Sequence, residues 1–305
     1  MTHSGSTARI HVLGAKEAPV AVIVRRKPSR TWHILKWDLL SDELTPGSWF
    51  HGKLYPLRSD LSWDGRLMSY LAMGSSGDIW NGLCEVPFLK TVAEWKNTGT
   101  WNGGAVWLQP DTVCLNLNWM DCPPKLTWTS AEWKSKLTVR TLKTAGGEDF
   151  SILFHRLHRD GWRPCVGGRP GSEVFDPKGA WIGKRSFEEA VNDETGWIWQ
   201  PTKRHPVLRM RYAGHRSDVS QNQSLSVDPQ LLEGRTGYIL HFDLPDLPGV
   251  LGPQVEWATW TSTGDLVYAL HGSVYRHSLQ TLQEGKVPIR LDLEILVPPQ
   301  RRLKG

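Results

Sequence analysis

The chain has 305 residues and a formal net charge of +5 at pH 7. Hydrophobic residues make up 39% of it and charged residues 22%, an ordinary globular composition that excludes a disordered or fibrous protein. With 17 tryptophans, 29 glycines and 20 prolines, the composition favours many short strands joined by turns over long helices.

In chain order, a short strand with near-alternating apolar residues appears first at 32–39, as WHILKWDL. The pattern recurs at 150–157, 238–244 and 274–279, and each copy ends in leucine. A period of two residues is typical of a strand with one buried face, so we predict a β-strand at each place. Only 130–136 and 186–191 have local helical character, and we therefore expect few and short helices.

A strand–turn–strand unit occurs four times, at 59–73, 104–117, 174–183 and 258–270. Its turn carries glycine or aspartate, residue types that suit tight turns, namely Gly65, Asp111, Gly179 and Gly264. A bulky apolar residue stands four positions before each turn, namely Leu61, Trp107, Phe175 and Trp260. Another apolar residue stands two positions after it, namely Leu67, Val113, Trp181 and Leu266. We predict that the four residues before the turns are mostly buried and lie in different sheets.

The units SDLSWDGRLMSYLAM and ATWTSTGDLVYAL resemble the two inner strands of a blade in TolB-like and WD-type β-propellers. The tryptophan-rich segment 32–101 also resembles uncharacterised bacterial propeller-like proteins. The resemblance implies an all-β fold, an irregular β-propeller of about five four-stranded blades that occupies residues 1–305 as a single domain. A β-sandwich or two small β domains is the alternative architecture.

The later turns are more widely spaced than the roughly 40–50 residues of a regular blade. This spacing predicts insert loops near 119–136, 187–197 and 213–237, and a C-terminal tail at 299–305. The chain shows neither a secretory signal at its start nor an apolar run long enough for a membrane span. We therefore expect a cytoplasmic protein whose four cysteines are reduced.

The sequence predicts no enzyme and no cofactor, because it has no nucleophile elbow, phosphate-binding loop or zinc-protease motif. Glycoside hydrolase is the alternative class, since five-bladed propellers host such enzymes and the reaction needs two carboxylates. Asp60 stands where one such carboxylate would stand, at the start of an inner strand. The matching positions of the other units carry no acid, being Val106, Val174 and Thr259. We expect Asp60 to bind backbone N–H groups and hold strand ends together.

Metal binding is not predicted either. His155 and His158 lie three residues apart in a segment with a strand pattern, which would place them on opposite faces. Cys114 and Cys122 have no histidine beside them, and we expect both to be free thiols.

Function then follows from the propeller resemblance, which implies a rigid platform for contacts with another protein. We predict a non-catalytic interaction scaffold within a bacterial multi-protein system. The basic clusters are separated along the chain, which argues against a nucleic-acid surface. Next to the insert at 213–237, the basic residues Lys203, Arg204 and Arg216 are the predicted protein-binding site. The alternative is a carbohydrate or other ligand bound by Trp95, Trp101 and Trp107.

Overall fold

Strands dominate the computed structural model, which describes residues 7–96, 99–117, 125–142, 150–166, 173–175, 181–184, 198–201, 206–215 and 238–299. The largest sheet has nine strands, namely β1 (Arg9–Gly14), β2 (Val20–Arg26), β3 (Thr31–Asp38), β4 (Leu44–Leu54), β5 (Asp60–Leu61), β6 (Leu67–Gly74), β7 (Ile79–Glu85), β8 (Lys90–Lys96) and β11 (Thr127–Trp128). All its pairs are antiparallel, and the long strand β4 pairs with β3 over most of its length and with β6 at its end. It therefore joins two meanders into one sheet.

The remaining strands form four smaller sheets. They are β9 (Ala105–Gln109), β10 (Thr112–Leu115) and β12 (Thr138–Thr141); β13 (Trp162–Val166), β16 (Ile198–Pro201), β17 (Arg209–His215) and β18 (Tyr238–Asp243); β14 (Glu173–Phe175) and β15 (Trp181–Lys184); and β19 (Trp257–Trp260), β20 (Leu266–Leu270), β21 (Ser273–His277) and β22 (Ile289–Asp292). Among the strands of the described ranges, only β10 and β12 pair in parallel. Three α-helices lie in the described residues, namely α1 (Ala131–Lys136), α2 (Phe150–Arg159) and α3 (Leu279–Gln283).

Each predicted strand–turn–strand unit is an antiparallel pair in the structure, and the four pairs lie in four separate sheets. In three units the residue four before the turn lies opposite the residue two after it, as Trp107 does with Val113. In the first unit Leu61 pairs with Met68, one position further along. Gly65 and Gly264 adopt positive φ angles of 72° and 81°, which explains glycine at these two turns.

Burial of the bulky residues before the turns follows the prediction wherever the structure describes their side chains. Leu61 and Trp107 are fully buried. Trp260 is also mostly buried, although it keeps some exposure at the end of its strand, next to the turn. The side chain of Phe175 lies outside the described residues.

The partial exposure of Trp260 sets a testable cost for its removal. We expect Trp260→Ala to lower the free energy of unfolding by about 1–2 kcal/mol, an ordinary value for a single substitution. Truncation of a fully buried tryptophan costs about 3–5 kcal/mol, so Trp107→Ala is the comparison variant. Urea unfolding of the two variants checks the order. If Trp260→Ala lost as much free energy of unfolding as Trp107→Ala, or more, the partial exposure of Trp260 would be contradicted.

The segment 150–157, predicted as a strand, is instead part of helix α2. Ile152, Leu153 and Leu157 are buried, and the helix packs against β9 and β13. Gly161 follows the end of the helix. It has a φ of 86°, and its N–H donates a hydrogen bond to the His158 carbonyl at 3.1 Å, and both features are typical of a helix C-terminus. The strand prediction was correct for the other three places, which fall on β3, β18 and β21.

The predicted helix at 130–136 is confirmed as α1, with the Ser130 side chain accepting the Trp133 N–H at its start. It lies within the predicted insert 119–136, as does β11. The insert 187–197, the helix at 186–191 and nearly all of the tail 299–305 lie outside the described residues. The same holds for 216–237, the main part of the third insert.

The elements around the centre of the molecule contact one another in sequence. β1 contacts β5, β5 contacts β9, β9 packs against α2, and α2 packs against β13. The sheet that begins with β13 ends with β18, which contacts β19, and β19 contacts β1 again. One hydrophobic cluster accordingly joins residues as far apart in sequence as Ile10, Leu153 and Leu293. The described elements thus contact one another in turn, from β1 through α2 and β19 back to β1.

The C-terminal segment after β22 is held against the first strands. The buried Arg25 side chain of β2 donates to the carbonyls of Leu293 (2.6 Å) and Leu296 (2.7 Å). Lys27 forms an ion pair with Glu294, whose carboxylate also accepts the Ala8 N–H at 2.7 Å. These contacts fix both ends of the described chain to each other.

Candidate functional site

The predicted protein-binding residues Lys203, Arg204 and Arg216 lie outside the described residues. Their neighbour β17 ends at His215, where the insert begins. Their assignment as a protein-binding site therefore stays a prediction.

A buried polar cluster lies where the central elements meet. It is made of His11 from β1, Asp60 from β5, Arg156 and Arg159 from α2, and Trp257 from β19, and we call these five residues the central cluster. Four secondary-structure elements from distant parts of the sequence each contribute to it. Polar side chains at such a position must satisfy one another, because water does not reach them.

Asp60 is the acid of this cluster. Its side chain is 1% exposed and forms an ion pair with Arg159, which is 3% exposed. The same carboxylate oxygen, Oδ2, accepts the backbone N–H of Trp107 at 2.8 Å. The expectation that Asp60 binds backbone N–H groups and joins strand ends is thereby confirmed, and the joined strands are β5 and β9. No described residue hydrogen-bonds the other oxygen, Oδ1. Burial raises the pKa of Asp60, and the two arginines of α2 act against that rise.

The guanidinium of Arg159 connects three groups. Besides Asp60, it donates to the Trp107 carbonyl (3.0 Å) and to both carboxylate oxygens of Asp160 (2.8 and 3.0 Å). Burial acts to lower the pKa of Arg159, but the two carboxylates outweigh it and raise that pKa overall. The guanidinium thus stays charged and links α2 to β5 and β9.

Arg156 lies one turn earlier on the same helix. It donates to the Ser59 carbonyl at 2.7 Å and contacts His11 Nε2 at 3.3 Å, and its guanidinium carbon lies 5.5 Å from the centre of the Trp257 ring. His11 packs on the same ring, with 4.0 Å between ring centroids. Burial, followed by the charge of Arg156, lowers the pKa of His11 well below its ordinary value. His11 is therefore neutral, and its Nε2 can accept a hydrogen bond from Arg156.

The described contacts of the central cluster join elements of the fold to one another. Both carboxylates, Asp60 and Asp160, bind the one guanidinium of Arg159, and Asp60 has no exposed surface with which to meet a substrate. Glycoside hydrolysis needs an acid and a second carboxylate that flank a bound sugar. The arrangement instead ties helix α2 to the strand ends around it.

The three tryptophans predicted as a ligand surface are not together on the surface. Trp95 and Trp107 are buried in the core, and only Trp101 is exposed, at 65%. The prediction was wrong for the first two, because strands β8 and β9 turn these positions inward against the same hydrophobic cluster. Trp101 lies in the loop before β9, where its ring faces solvent.

The backbone on both sides of Trp101 is fixed. The buried Arg58 side chain donates to the carbonyls of Thr100 and, at 3.2 Å, of Asn102, the residues that flank the tryptophan. The loop is also anchored further along, where Asn81 Oδ1 accepts the Gly104 N–H at 2.7 Å. Gly104 has a φ of 82°, and a Cβ there would lie 2.3 Å from the Arg58 carbonyl oxygen, so glycine is required. Trp101 is thus an exposed aromatic side chain on a rigid support.

The predicted geometry of His155 and His158 was wrong. They lie on helix α2, where positions three apart share a face, and burial lowers the pKa of His155. Within the described ranges, no group of three or more histidine, cysteine, aspartate or glutamate side chains is placed to hold a metal ion. Cys84 and Cys114 are buried free thiols whose pKa is raised by burial, while Cys122 lies outside the described residues.

Comparisons with known proteins give only weak likenesses. No family model and no curated protein matches the chain. Among solved structures, it is similar to the uncharacterised protein lmo1340 from Listeria monocytogenes EGD-e, with a TM-score of 0.32 and 11% identity over 96% of this chain and 85% of that one. It is also similar to the WD40 domain of SCAP from fission yeast, with a TM-score of 0.21 and 8% identity over 97% of this chain and 67% of that one. No helix in the described part of the chain is long and apolar enough to cross a membrane.

Proposed function

We propose that the chain is an irregular β-propeller of about five blades that acts as a non-catalytic protein-interaction scaffold in a cytoplasmic bacterial multi-protein system. The successive contacts from β1 through β5, β9, α2 and β18 to β19 and back to β1 support a ring of sheets. The enclosure of Asp60 and its pairing with Arg159 support a structural, non-catalytic centre. In such a protein the working surface lies on exposed loops.

The rigid exposure of Trp101 carries the functional part of the proposal. Tryptophan is enriched among the few interface residues that supply most of the binding energy, because it covers a large area with few rotatable bonds. A loop backbone already held in place loses little further freedom when a partner binds. Arg58 provides this preorganisation by binding the carbonyls on both sides of Trp101.

We expect Trp101→Ala to weaken binding of the partner by at least about 30-fold, the loss typical of an interface tryptophan. Tagged wild-type and variant chains would be purified from the native host, the partner that accompanies the wild type identified, and its affinity for each chain measured. Because the ring of Trp101 faces solvent, the variant should unfold at the wild-type temperature.

Leu40→Ala is the matched control. Leu40 is also exposed and apolar, but it lies in the turn between β3 and β4, so its removal should leave the affinity unchanged. A partner that binds Trp101→Ala as tightly as the wild type would contradict Trp101 as the contact. If no protein accompanies the wild-type chain at stoichiometric yield, the scaffold proposal itself is wrong.

A further inference from the structure

Exposed apolar side chains concentrate near the end of the described chain. Seven large hydrophobic residues are exposed in the part of the chain that the structure describes, and four of them lie between 287 and 297. These four are Val287, Ile289, Ile295 and Val297. They flank or belong to β22, the last strand of its sheet. A sheet edge that combines unpaired backbone groups with exposed apolar side chains is a site for pairing with another strand.

The backbone groups available on this edge can be assigned from the hydrogen bonds of β22. The Leu293 N–H donates to the Gly272 carbonyl at 3.0 Å, in line with the antiparallel register of β21 and β22. In such a pair, residues whose backbone N–H and C=O groups point to the partner strand alternate with residues whose groups point away from it. The backbone groups of Ile289 and Leu291 therefore also point to β21. Arg290 and Asp292 therefore direct their N–H and C=O groups away from the sheet. Among the described strands, none pairs with that side of β22.

The edge is held in place before any partner arrives. Arg25 binds the carbonyls of Leu293 and Leu296 directly after the strand, and the Lys27–Glu294 ion pair lies between them. On its other side, β22 pairs with β21 along its full length. An added strand would thus meet a fixed template and would lose little conformational entropy in ordering β22 itself.

The sequence of β22 is complementary to itself when two copies lie antiparallel. Consider a register in which Leu291 of one copy lies opposite Leu291 of the second. Arg290 of the first copy then lies opposite Asp292 of the second, and Asp292 of the first lies opposite Arg290 of the second. Directly opposite residues of unlike charge stabilise an antiparallel pair, and like charges destabilise it. Both side chains are exposed and lie on the same face of the strand, where they already approach each other within one chain at 3.5 Å. Pro288 has no N–H and limits the pairing on one side.

We propose that a second copy of this chain docks on the free edge of β22, with the two β22 strands antiparallel and Leu291 at the two-fold axis. The interface joins two sheets into one continuous sheet and covers part of the apolar surface around Val287 and Ile289. It belongs to a different sheet from β9, the strand that follows Trp101, and does not depend on the proposed scaffold function.

Sedimentation velocity on the full chain over a dilution series tests the proposal by charge exchange. The wild type should dimerise reversibly. Arg290→Asp places two aspartates opposite each other, and Asp292→Arg places two arginines opposite each other, so each should weaken the dimer by at least about tenfold. The double variant Arg290→Asp/Asp292→Arg restores both opposite-charge pairs and should dimerise as the wild type does. Lys134→Glu on the exposed face of α1 is the control and should leave the dimer unchanged.

A wild type that stays monomeric at every concentration overturns the proposal. So does a dimer that the single variants do not weaken, or a double variant that fails to regain it. A second measurement covers the case in which a charge variant folds poorly. Leu291→Cys should form a disulfide-linked dimer under mild oxidation, because residues opposite each other without mutual hydrogen bonds lie close enough for the bridge. Absence of that cross-link, with the unsubstituted chain as reference, likewise overturns the register.

Discussion

Replacing Asp60 by alanine is expected to lower the free energy of unfolding by about 3–5 kcal/mol, the usual cost of removing one partner from a buried ion pair. Two groups lose their acceptor in this variant. The Trp107 N–H is left without its bond to Oδ2, and the buried guanidinium of Arg159 keeps only Asp160 as an acidic partner. Urea unfolding at pH 7 measures the loss.

An exposed ion pair on another sheet is the control for this prediction. Arg209 and Asp243 also form an arginine–carboxylate pair, but their side chains are 41% and 47% exposed. Exposed pairs contribute about 0–1 kcal/mol, so Asp243→Ala should have little effect. Both are arginine–aspartate pairs, so the difference in the loss of stability reports the difference in their burial. If Asp60→Ala lies within 1 kcal/mol of the wild type, the central cluster does not hold the molecule together.

Removing the other partner separates the charge effect from a packing effect. Arg159→Met leaves the buried Asp60 without its main counter-charge, so the pKa of this carboxyl, already raised by burial, should rise further. A group whose pKa is higher in the folded state stabilises the fold as pH falls through that pKa. The deficit of Arg159→Met relative to the wild type should therefore shrink on acidification. In the double variant Asp60→Leu/Arg159→Met the loss should be smaller than the sum of the single losses.

Local sequence patterns predicted much of the fold because they act over short distances. A turn glycine with an apolar residue on each side identified β5–β6 and β19–β20, and the local helical character of 130–136 identified α1. Asp60 was recognised as an acid that binds backbone groups, since no matching acid occurs in the other units. These inferences depended only on residues within one hairpin or one helical turn.

The parts that failed depend on contacts between distant elements. At 150–157 the apolar residues fit both the two-residue period of a strand and the 3.6-residue period of a helix. The signals that favour a helix are the basic last turn and Gly161. Because α2 was missed, so were Arg156 and Arg159, the partners that explain why Asp60 is tolerated inside the molecule. Which of three nearby tryptophans is exposed was likewise decided by packing between sheets, a contact that one sequence does not reveal.

Acidification from pH 7.5 to pH 5 is expected to lower the free energy of unfolding by about 2 kcal/mol through His33, and His11 acts in the same direction. Burial lowers the pKa of His33 to about 4, with the nearby charge of Arg25 as the second cause. His11 is shifted well below its ordinary value by burial and by Arg156. An unfolded histidine has a pKa near 6.5, so the unfolded chain takes up protons between that value and pH 5 while the folded chain does not.

The sign follows from this difference in bound protons. Stability rises with pH wherever the unfolded state binds more protons, so the contribution of each histidine is complete above its unfolded pKa and is lost as pH falls towards its folded pKa. His33, with a folded pKa of about 4, accounts for about 2 kcal/mol by pH 5. His277 and His155, whose pKa values are also lowered by burial, act in the same direction. The raised pKa of Asp60 changes the free energy of unfolding in the opposite direction.

His33→Phe isolates one of these contributions. His33 stacks on the Trp49 ring with 3.9 Å between centroids and a 10° interplanar angle, a contact that phenylalanine can keep without titrating. Its loss of stability between pH 7.5 and pH 5 should be smaller than that of the wild type by about 2 kcal/mol. If urea unfolding shows the same pH dependence for His33→Phe and the wild type, the buried imidazole of His33 is not a source of acid sensitivity, and the loss must be assigned to other groups.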